Sequence, residues 1–581
     1  MERLLVYENK YYKKIIKNNK FYSIKYLGSW CLENWQAEKY LDIEPDLWAD
    51  KNQLIEDIQY IKDLTIIILK SSFDDLKNDF KTPLSFDQFS SIYYSWTFNI
   101  IVKLFANWKL FDKSVKSDHT YIFDIEYDQV IAENLLDANM TYFYSKWNLF
   151  TISEIIKFRN IDYELLYYTE NQQIIKTNKY KNILISLRTL PKFISNYLKF
   201  KFIKKDWILY YFTRKSNLLN KYQKSDSITQ YVQLIYNKYK DKISNIKINS
   251  QKRELLKLNI FPKNQFETFL SSFYFKLMPI SLLEGIDLLE KYSITNYVGK
   301  QPTHLIYSDF LNNELLLYNL MNFNKSQVYV YQHGGGFGFN NYTITEHVEK
   351  FYCNRYITWG WKNSEIDIPF ISPDFKQLFK IKTNKARRNI CIILYDSPPF
   401  IPTFQPTIYS IDYSKYLINI KNLCTKSHYK NEIKLRLYSR NDSGVNLINF
   451  FPKSIGIDKS LNLDSFYSKY KLYIYTYNST GFLELWSLNI PCILYIENKN
   501  WFVEEFGLKE FENLKNNNLL ITNFESLEVF FNEKYNNIDI WWDTFIVQNT
   551  INTFLEIYAN ISTKNLNNDD LLELKSIFKL N

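Results

Sequence analysis

The chain has 581 residues and a mass of 70.2 kDa, which at about 100–200 residues per domain predicts roughly two to four domains. Hydrophobic residues at 46% and charged residues at 23% suffice for a buried core, while 12 Gly and 14 Pro exclude collagen-like, linker-like and Pro-rich chains. A net charge of +10 is mild over this length: it disfavours a dedicated nucleic-acid binder and fits an anionic partner such as a phosphate ligand or a membrane face.

The opening MERLLVYENKYYKK lacks the apolar stretch of a secretion signal, and the longest apolar runs, such as 64–69 and 391–395, are too short to span a bilayer. Cys31, Cys353, Cys391, Cys424 and Cys492 are far apart and form neither a zinc framework nor a disulfide scaffold. A reduced cytoplasmic setting is expected, with the chain soluble or peripheral on the inner membrane face. A short extended piece at 22–32 is followed by 45–290, which reads mainly as long helices. In 51–71 apolar residues recur at helical spacing without Gly or Pro. Within 176–224 stand thirteen Lys or Arg and one acid, Asp206. This is either a solvated helix face or a surface for anionic lipid.

From residue 300 the pattern becomes strand, turn, helix. Candidate strands are 303–308, 327–332, 355–359, 387–395, 432–438, 471–476 and 492–496. Short apolar runs alternating with helices predict an α/β fold with parallel sheets, here two Rossmann-like units after a large, mainly helical N-terminal region. The expected division is 1–295 helical, 296–375 the first unit, and 385–581 the second, with the polar, basic 373–388 as linker.

The strongest local signal is QVYVYQHGGGFG at 327–338, where Gly334, Gly335, Gly336 and Gly338 gather four of the chain's 12 glycines at a strand end. Such a loop allows close backbone approach to an anion, and His333 beside Gln332 suits a general base or a phosphate donor; the alternative is a tight turn with a structural His. Glu346, His347 and Glu349 follow, where a carboxylate near an imidazole can orient it or share proton transfer, or the three are ordinary helix-start charges; the spacing is not that of a zinc protease. Asp309, after strand 303–308, is a further candidate catalytic carboxylate. At 477–484, Asn478, Ser479, Thr480 and Gly481 precede a helix, the arrangement of an anion cradle or of simple N-capping, and Glu484 stands one turn in to accept from ribose hydroxyls. Arg436 and Arg440 are candidate phosphate clamps. Trp359–Gly360–Trp361 reads as structural packing.

Taken together, these residues resemble the LIC-type transferase family of bacterial O-antigen and surface-carbohydrate gene clusters. The likeness runs through Leu27–Cys31, Trp48 with Asp50, Trp147–Asn148, Gln332–Gly335, Glu346–His347 and Arg355–Trp361. It continues through Asn478–Thr480 with Leu483–Glu484, Asn489–Pro491, and Asp539–Trp542 with Gln548. The chain departs from the family pattern at Gly336 and at Cys353–Asn354. The resemblance implies a role in making a surface polysaccharide and the two-domain glycosyltransferase fold called GT-B. More distantly, the His-Gly loop is similar to that of polyol-phosphate transferases of wall teichoic acid, which places a catalytic base on His333. The expectation is a metal-independent glycosyltransferase without a cofactor, taking a nucleotide-activated sugar donor and a glycan or lipid-linked acceptor, with possible anionic-membrane contact through 176–224. His333 would be the base, with Glu346 or Asp309 second. Gln332, Gly334, Gly335, Arg436, Arg440, Asn478, Ser479, Thr480 and Glu484 would hold the donor. The alternatives are polyol-phosphate transfer and a non-catalytic scaffold that binds nucleotide.

Overall fold

The computed structural model describes residues 3–6, 23–27, 47–48, 50–80, 84–114, 120–142, 145–168, 208–212, 226–293, 296, 304–308, 313–322, 326–340, 343–370, 389–395, 410–437, 450–497 and 507–560. Asp309, Arg440, the linker 373–388 and most of 176–224 lie outside them.

Strands β1 (Arg3–Val6) and β2 (Ser23–Tyr26) pair in parallel near the N-terminus. Two long helices follow, α1 (Lys51–Phe80) and α2 (Phe86–Ser114). Asp50 starts α1 by accepting the free N–H groups of Asn52 at 2.7 Å and Gln53 at 3.1 Å. α2 is the spine of this region: Ile92 to Phe98 and Ile100 to Ala106 are nearly all buried, as expected of a helix packed on every side. It contacts α1 and α3 (Ser145–Phe158), and also helices from further along the chain. The region 45–290 is not wholly helical. β3 (Tyr121–Asp124) and β4 (Glu164–Tyr167) form a small parallel pair, and β5 (Ile208–Phe212) is a strand inside the basic segment. β5 escaped the sequence reading because its partner, β6 (His304–Ser308), lies nearly a hundred residues later; no local period announces such a pairing.

β5, β6, β7 (Gln327–Tyr331), β8 (Arg355–Thr358) and β9 (Asp367–Pro369) make one five-stranded parallel sheet in chain order. The strands β10 (Ile390–Ile393), β11 (Ile433–Arg436), β12 (Gly456–Ile457), β13 (Leu472–Tyr475), β14 (Cys492–Tyr495) and β15 (Leu520–Ile521) make a second. Its order is β12-β11-β10-β13-β14-β15, all parallel. This is the doubly wound order of dinucleotide-binding sheets, with the topological switch between β10 and β13. β10, β13 and β14 are buried at every position, as strands covered on both faces must be. The fold is therefore α/β, with two parallel sheets and a large helical region.

Among the helices that matter for the site are α4 (Asp226–Ile243), α5 (Ser250–Leu255), α6 (Gln265–Phe273), α7 (Glu314–Asn322), α8 (Ile344–Tyr352), α9 (Ser410–Lys426), α10 (Thr480–Ser487) and α11 (Phe545–Tyr558). α7 and α8 pack on α2, which ties the first sheet to the helical region. α11 packs on α10, and Phe554 on it reaches Phe339 of the first unit's glycine loop at a centroid distance of 5.9 Å.

Candidate functional site

The loop after β7 is built around Gln332. Its side chain is buried, its Oε1 accepts from Trp359 N–H at 2.9 Å and Trp361 Nε1–H at 2.8 Å, and its Nε2 donates to Gly334 O at 2.7 Å. The amide expected to hold a donor instead fastens the loop to the end of β8, and the two tryptophans are buried, structural partners. His333 follows, part-exposed. Its Nδ1 stands 3.1 Å from Glu349 Oε1. Glu349 is fully buried on α8, and its other oxygen accepts from Tyr356 O–H at 3.0 Å. A carboxylate within ion-pair distance of Nδ1 favours a proton on that nitrogen, which leaves Nε2 as the atom to accept one from a substrate. The edge of Phe337 lies against the imidazole at 5.1 Å between centroids.

Glu346, the second candidate for the base, lies apart from the His333–Glu349 pair. Its Oε2 accepts from Gly338 N–H at 2.9 Å and its Oε1 pairs with Lys350 at 3.1 Å. Burial raises its pKa above the ordinary carboxylate range. Gly338 itself has φ +86°, and a side chain there would run into the Trp361 ring. His347 points the other way, into α2: Tyr94 O–H and His347 Nε2 are 2.9 Å apart. Burial, with Lys62 and Lys350 nearby, pushes its pKa down to about 4, so it is neutral near pH 7.

The glycine loop meets the start of α10. Gly335 N–H donates to Thr480 Oγ1 at 3.1 Å. A Cβ on Gly335 would come within 2.7 Å of Thr480 Cα and 2.9 Å of its N, so only glycine fits there. Beside this contact, Asn478 Nδ2 donates to Asn340 Oδ1 at 2.6 Å, while Asn478 Oδ1 is buried with no hydrogen-bond partner among the described residues. Ser479 is the N-cap, its Oγ accepting from Gly481 N–H at 3.2 Å. The glycine loop and the start of α10 thus meet through Gly335 with Thr480 and Asn340 with Asn478, from positions about 140 residues apart. The Gly335 N–H, expected to face an anion, is taken by Thr480.

Arg436 and Glu484 are committed within the protein. Arg436 Nη1 donates to Asp458 Oδ1 at 2.8 Å and to Ser460 O at 3.0 Å, and the guanidinium stacks 3.9 Å from the Phe466 ring centroid. Asp458 also receives Lys469 Nζ and Tyr470 O–H, both at 2.6 Å. Burial alone would raise the Asp458 pKa; the hydrogen bonds from Lys469, Tyr470 and Ser460 outweigh it and hold the carboxyl below its usual range. Glu484 Oε2 accepts from Tyr467 O–H, so the acid assigned to ribose is engaged by a tyrosine.

One part of the site was not read from the sequence. At the switch between β10 and β13, Thr476 Oγ1 accepts from Tyr395 N–H at 2.9 Å, lies 2.6 Å from Tyr416 O–H on α9, and is 2.8 Å from Ile393 O. Tyr395 and Tyr477 face each other across the two strand ends at 5.6 Å. In doubly wound sheets ligands sit in this crevice, at the carboxyl ends of the strands. Strand order is not visible in a sequence, and no motif marks these tyrosines. Among the described residues no group of three or more His, Cys, Asp or Glu is placed to hold a metal, and no helix is long and apolar enough to cross a membrane.

The two parallel sheets meet where the glycine loop rests on the capped start of α10. A family model described as "LIC12162 family transferase" matches residues 13–573, and the chain belongs to that family of transferases. No curated protein matches. Among solved structures, the wall teichoic acid polymerase TagF is similar at 11% identity, over 70% of this chain and 98% of that one, with a TM-score of 0.28. The glycosyltransferase SnogD from Streptomyces nogalater is similar at 9% identity, over 57% and 85%, with a TM-score of 0.31. The calicheamicin glycosyltransferase CalG4 is similar at 8% identity, over 62% and 95%, with a TM-score of 0.29.

Several residues that carry the family likeness are structural. Trp542 Nε1 donates to Asn489 Oδ1 at 2.8 Å, and Gln548 Nε2 donates to Trp542 O at 2.8 Å. Asn489, at φ +52°, turns the chain out of α10 toward β14, so this chain of bonds secures the far end of the helix whose start meets the glycine loop.

Proposed function

We propose that this transferase moves a sugar from a nucleotide-activated donor to a hydroxyl of a glycan or lipid-linked acceptor, in the building of a bacterial surface polysaccharide. The observation that carries the reading is the junction itself: His333, backed by buried Glu349, stands on the loop that rests on Thr480 at the start of α10. His333 Nε2 takes the proton of the acceptor hydroxyl as its oxygen attacks the anomeric carbon. The bond from that carbon to the diphosphate oxygen breaks, and the nucleoside diphosphate leaves with the electron pair. The start of α10, with its positive dipole end and Ser479 and Thr480, stabilises the growing negative charge. The nucleoside lies in the crevice floored by Thr476, Tyr395 and Tyr477, and the unpartnered Asn478 Oδ1 accepts from a donor hydroxyl. Gln332, Arg436 and Glu484 brace the walls through Trp361, Asp458 and Tyr467.

A thermal-shift screen against CMP-, CDP-, UDP-, GDP- and dTDP-linked compounds tests this. A ligand at 100 times its dissociation constant adds about 2.7 kcal/mol of stability. One nucleotide class is expected to stabilise the wild type and His333→Ala alike, while release of free nucleotide by His333→Ala falls roughly 10²- to 10⁴-fold. No stabilising nucleotide, or unchanged turnover in His333→Ala, sinks the reading. Stabilisation by a CDP-linked polyol alone would replace the sugar with a polyol phosphate.

A further inference from the structure

The connection from α5 to α6 exposes large apolar side chains on a well-held backbone. Leu255 is 84% exposed and Phe261 97%, whereas Leu256 and Leu258 between them are buried. The exposure does not come from a loose segment. Leu258 N–H donates to Ser271 O at 3.4 Å and Ser271 Oγ to Leu258 O at 2.8 Å. Lys263 N–H donates to Glu267 Oε2 at 2.7 Å. The segment is also tied to α1 at two points, Asn259 N–H to Asp75 at 3.4 Å and Asn264 Nδ2 to Tyr60 at 3.2 Å. On α1, between those two points, Ile66 and Ile67 are 40% and 43% exposed.

The charges on the 247–263 segment are mostly of one sign. Lys247, Lys257 and Lys263 are exposed and Lys252 is half-buried, while Glu254 is the one acid in 247–263. Arg253 does not join them; it is buried and paired with Glu284 at 2.5 Å. On the α1 side Lys70 is exposed, with Asp63 and Asp74. A second exposed apolar group, Ile540, Phe545 and Ile546, is flanked by Asp539 and Asp543, which an anionic surface repels. Aromatic and aliphatic tips ringed by lysines are what the boundary between headgroups and acyl chains of an anionic bilayer accepts.

We propose that the 255–263 connection docks on an anionic lipid bilayer, with Phe261 and Leu255 in the headgroup–acyl boundary and Lys247, Lys257 and Lys263 over the lipid phosphates. These residues are not part of the basic segment 176–224 of the sequence, and the proposal does not depend on the reaction proposed above.

The test is co-sedimentation of the full chain with vesicles of phosphatidylcholine alone and of phosphatidylcholine mixed with phosphatidylglycerol. Binding to the mixed vesicles only is expected, weakened by salt. Phe261→Ser and Leu255→Ser should each lower the partition coefficient about tenfold or more, since each removes a buried apolar side chain from the lipid. Lys257→Glu with Lys263→Glu should act in the same direction. All four residues are exposed, so the melting temperature of each variant should match the wild type. Three results overturn the proposal: no binding to mixed vesicles, equal binding to neutral ones, or binding that Phe261→Ser and Leu255→Ser leave unchanged. A dimer in solution that Phe261→Ser dissolves would give the face to a second copy of the chain and overturn it as well.

Discussion

Glu346 and Glu349 lie three positions apart on one helix, and only Glu349 faces His333. Both were visible in the sequence, as was the histidine at a strand end. Which carboxylate turns inward depends on the rotation of α8 about its own axis, and that is set by packing: Val348 and Glu349 are buried, Glu346 and Lys350 half-buried. The same limit explains Gln332, Arg436 and Glu484. Residue type announced their capacity to bind a donor, but their partners, Trp361, Asp458 and Tyr467, are between 17 and 29 residues away. Glu349 acts through the histidine and is a positioning residue. Glu349→Gln is expected to lower kcat roughly 10- to 100-fold while KM barely moves, with Glu349→Asp less affected. Glu346→Gln, which disturbs the Gly338 turn and the pair with Lys350, should lose less; a larger loss in Glu346→Gln than in Glu349→Gln would reverse the assignment.

At the scale of elements, seven candidate strands after residue 300 match strands of the two sheets, because short apolar runs bounded by turns are strong local signals. Their order is not local, and so the switch at Thr476 stayed hidden. The joint between α2 and α8 carries its own pH dependence. His347, held between Tyr94 and Phe98, titrates near 4 in the folded chain and near 6.5 when unfolded. A depressed histidine stabilises the fold above its unfolded pKa, and that contribution is lost as pH falls from about 6.5 toward 4. His347→Gln keeps a polar partner for Tyr94 without a titrating ring. Urea midpoints at pH 7 and pH 4.5 should therefore differ less in His347→Gln than in the wild type. An equal difference in both chains would show that the joint does not sense acid.

Across the whole molecule, α11 reaches residues of both units. Phe554 is buried among Phe482, Trp486 and Phe511 of the second unit and Phe339 of the first, at centroid distances of 5.3 to 6.1 Å. Gly360, at the end of β8, leaves room for the last turn of the same helix: a Cβ there would lie 2.8 Å from Ile557 O. Phe554→Ala should cost about 3–5 kcal/mol. Its effect should reach both units, with faster amide hydrogen exchange in β7 as well as β13. Loosening of the second sheet alone would show that the units are held together by other contacts. This tie was illegible in the sequence, where 545–558 is one amphipathic helix among many and nothing marks Phe339 as its destination.

The fit of Gly335 onto Thr480 carries a consequence for descent and for engineering. The Thr480 backbone fills space that only a glycine at 335 leaves empty, and the Thr480 hydroxyl takes the Gly335 N–H, so each loop is shaped to the other. A chimera that took its first half from one relative and its second from another would receive a junction that neither parent had shaped. Recombination between such chains is expected to succeed only where both loops travel together, whatever donor each parent's second half prefers.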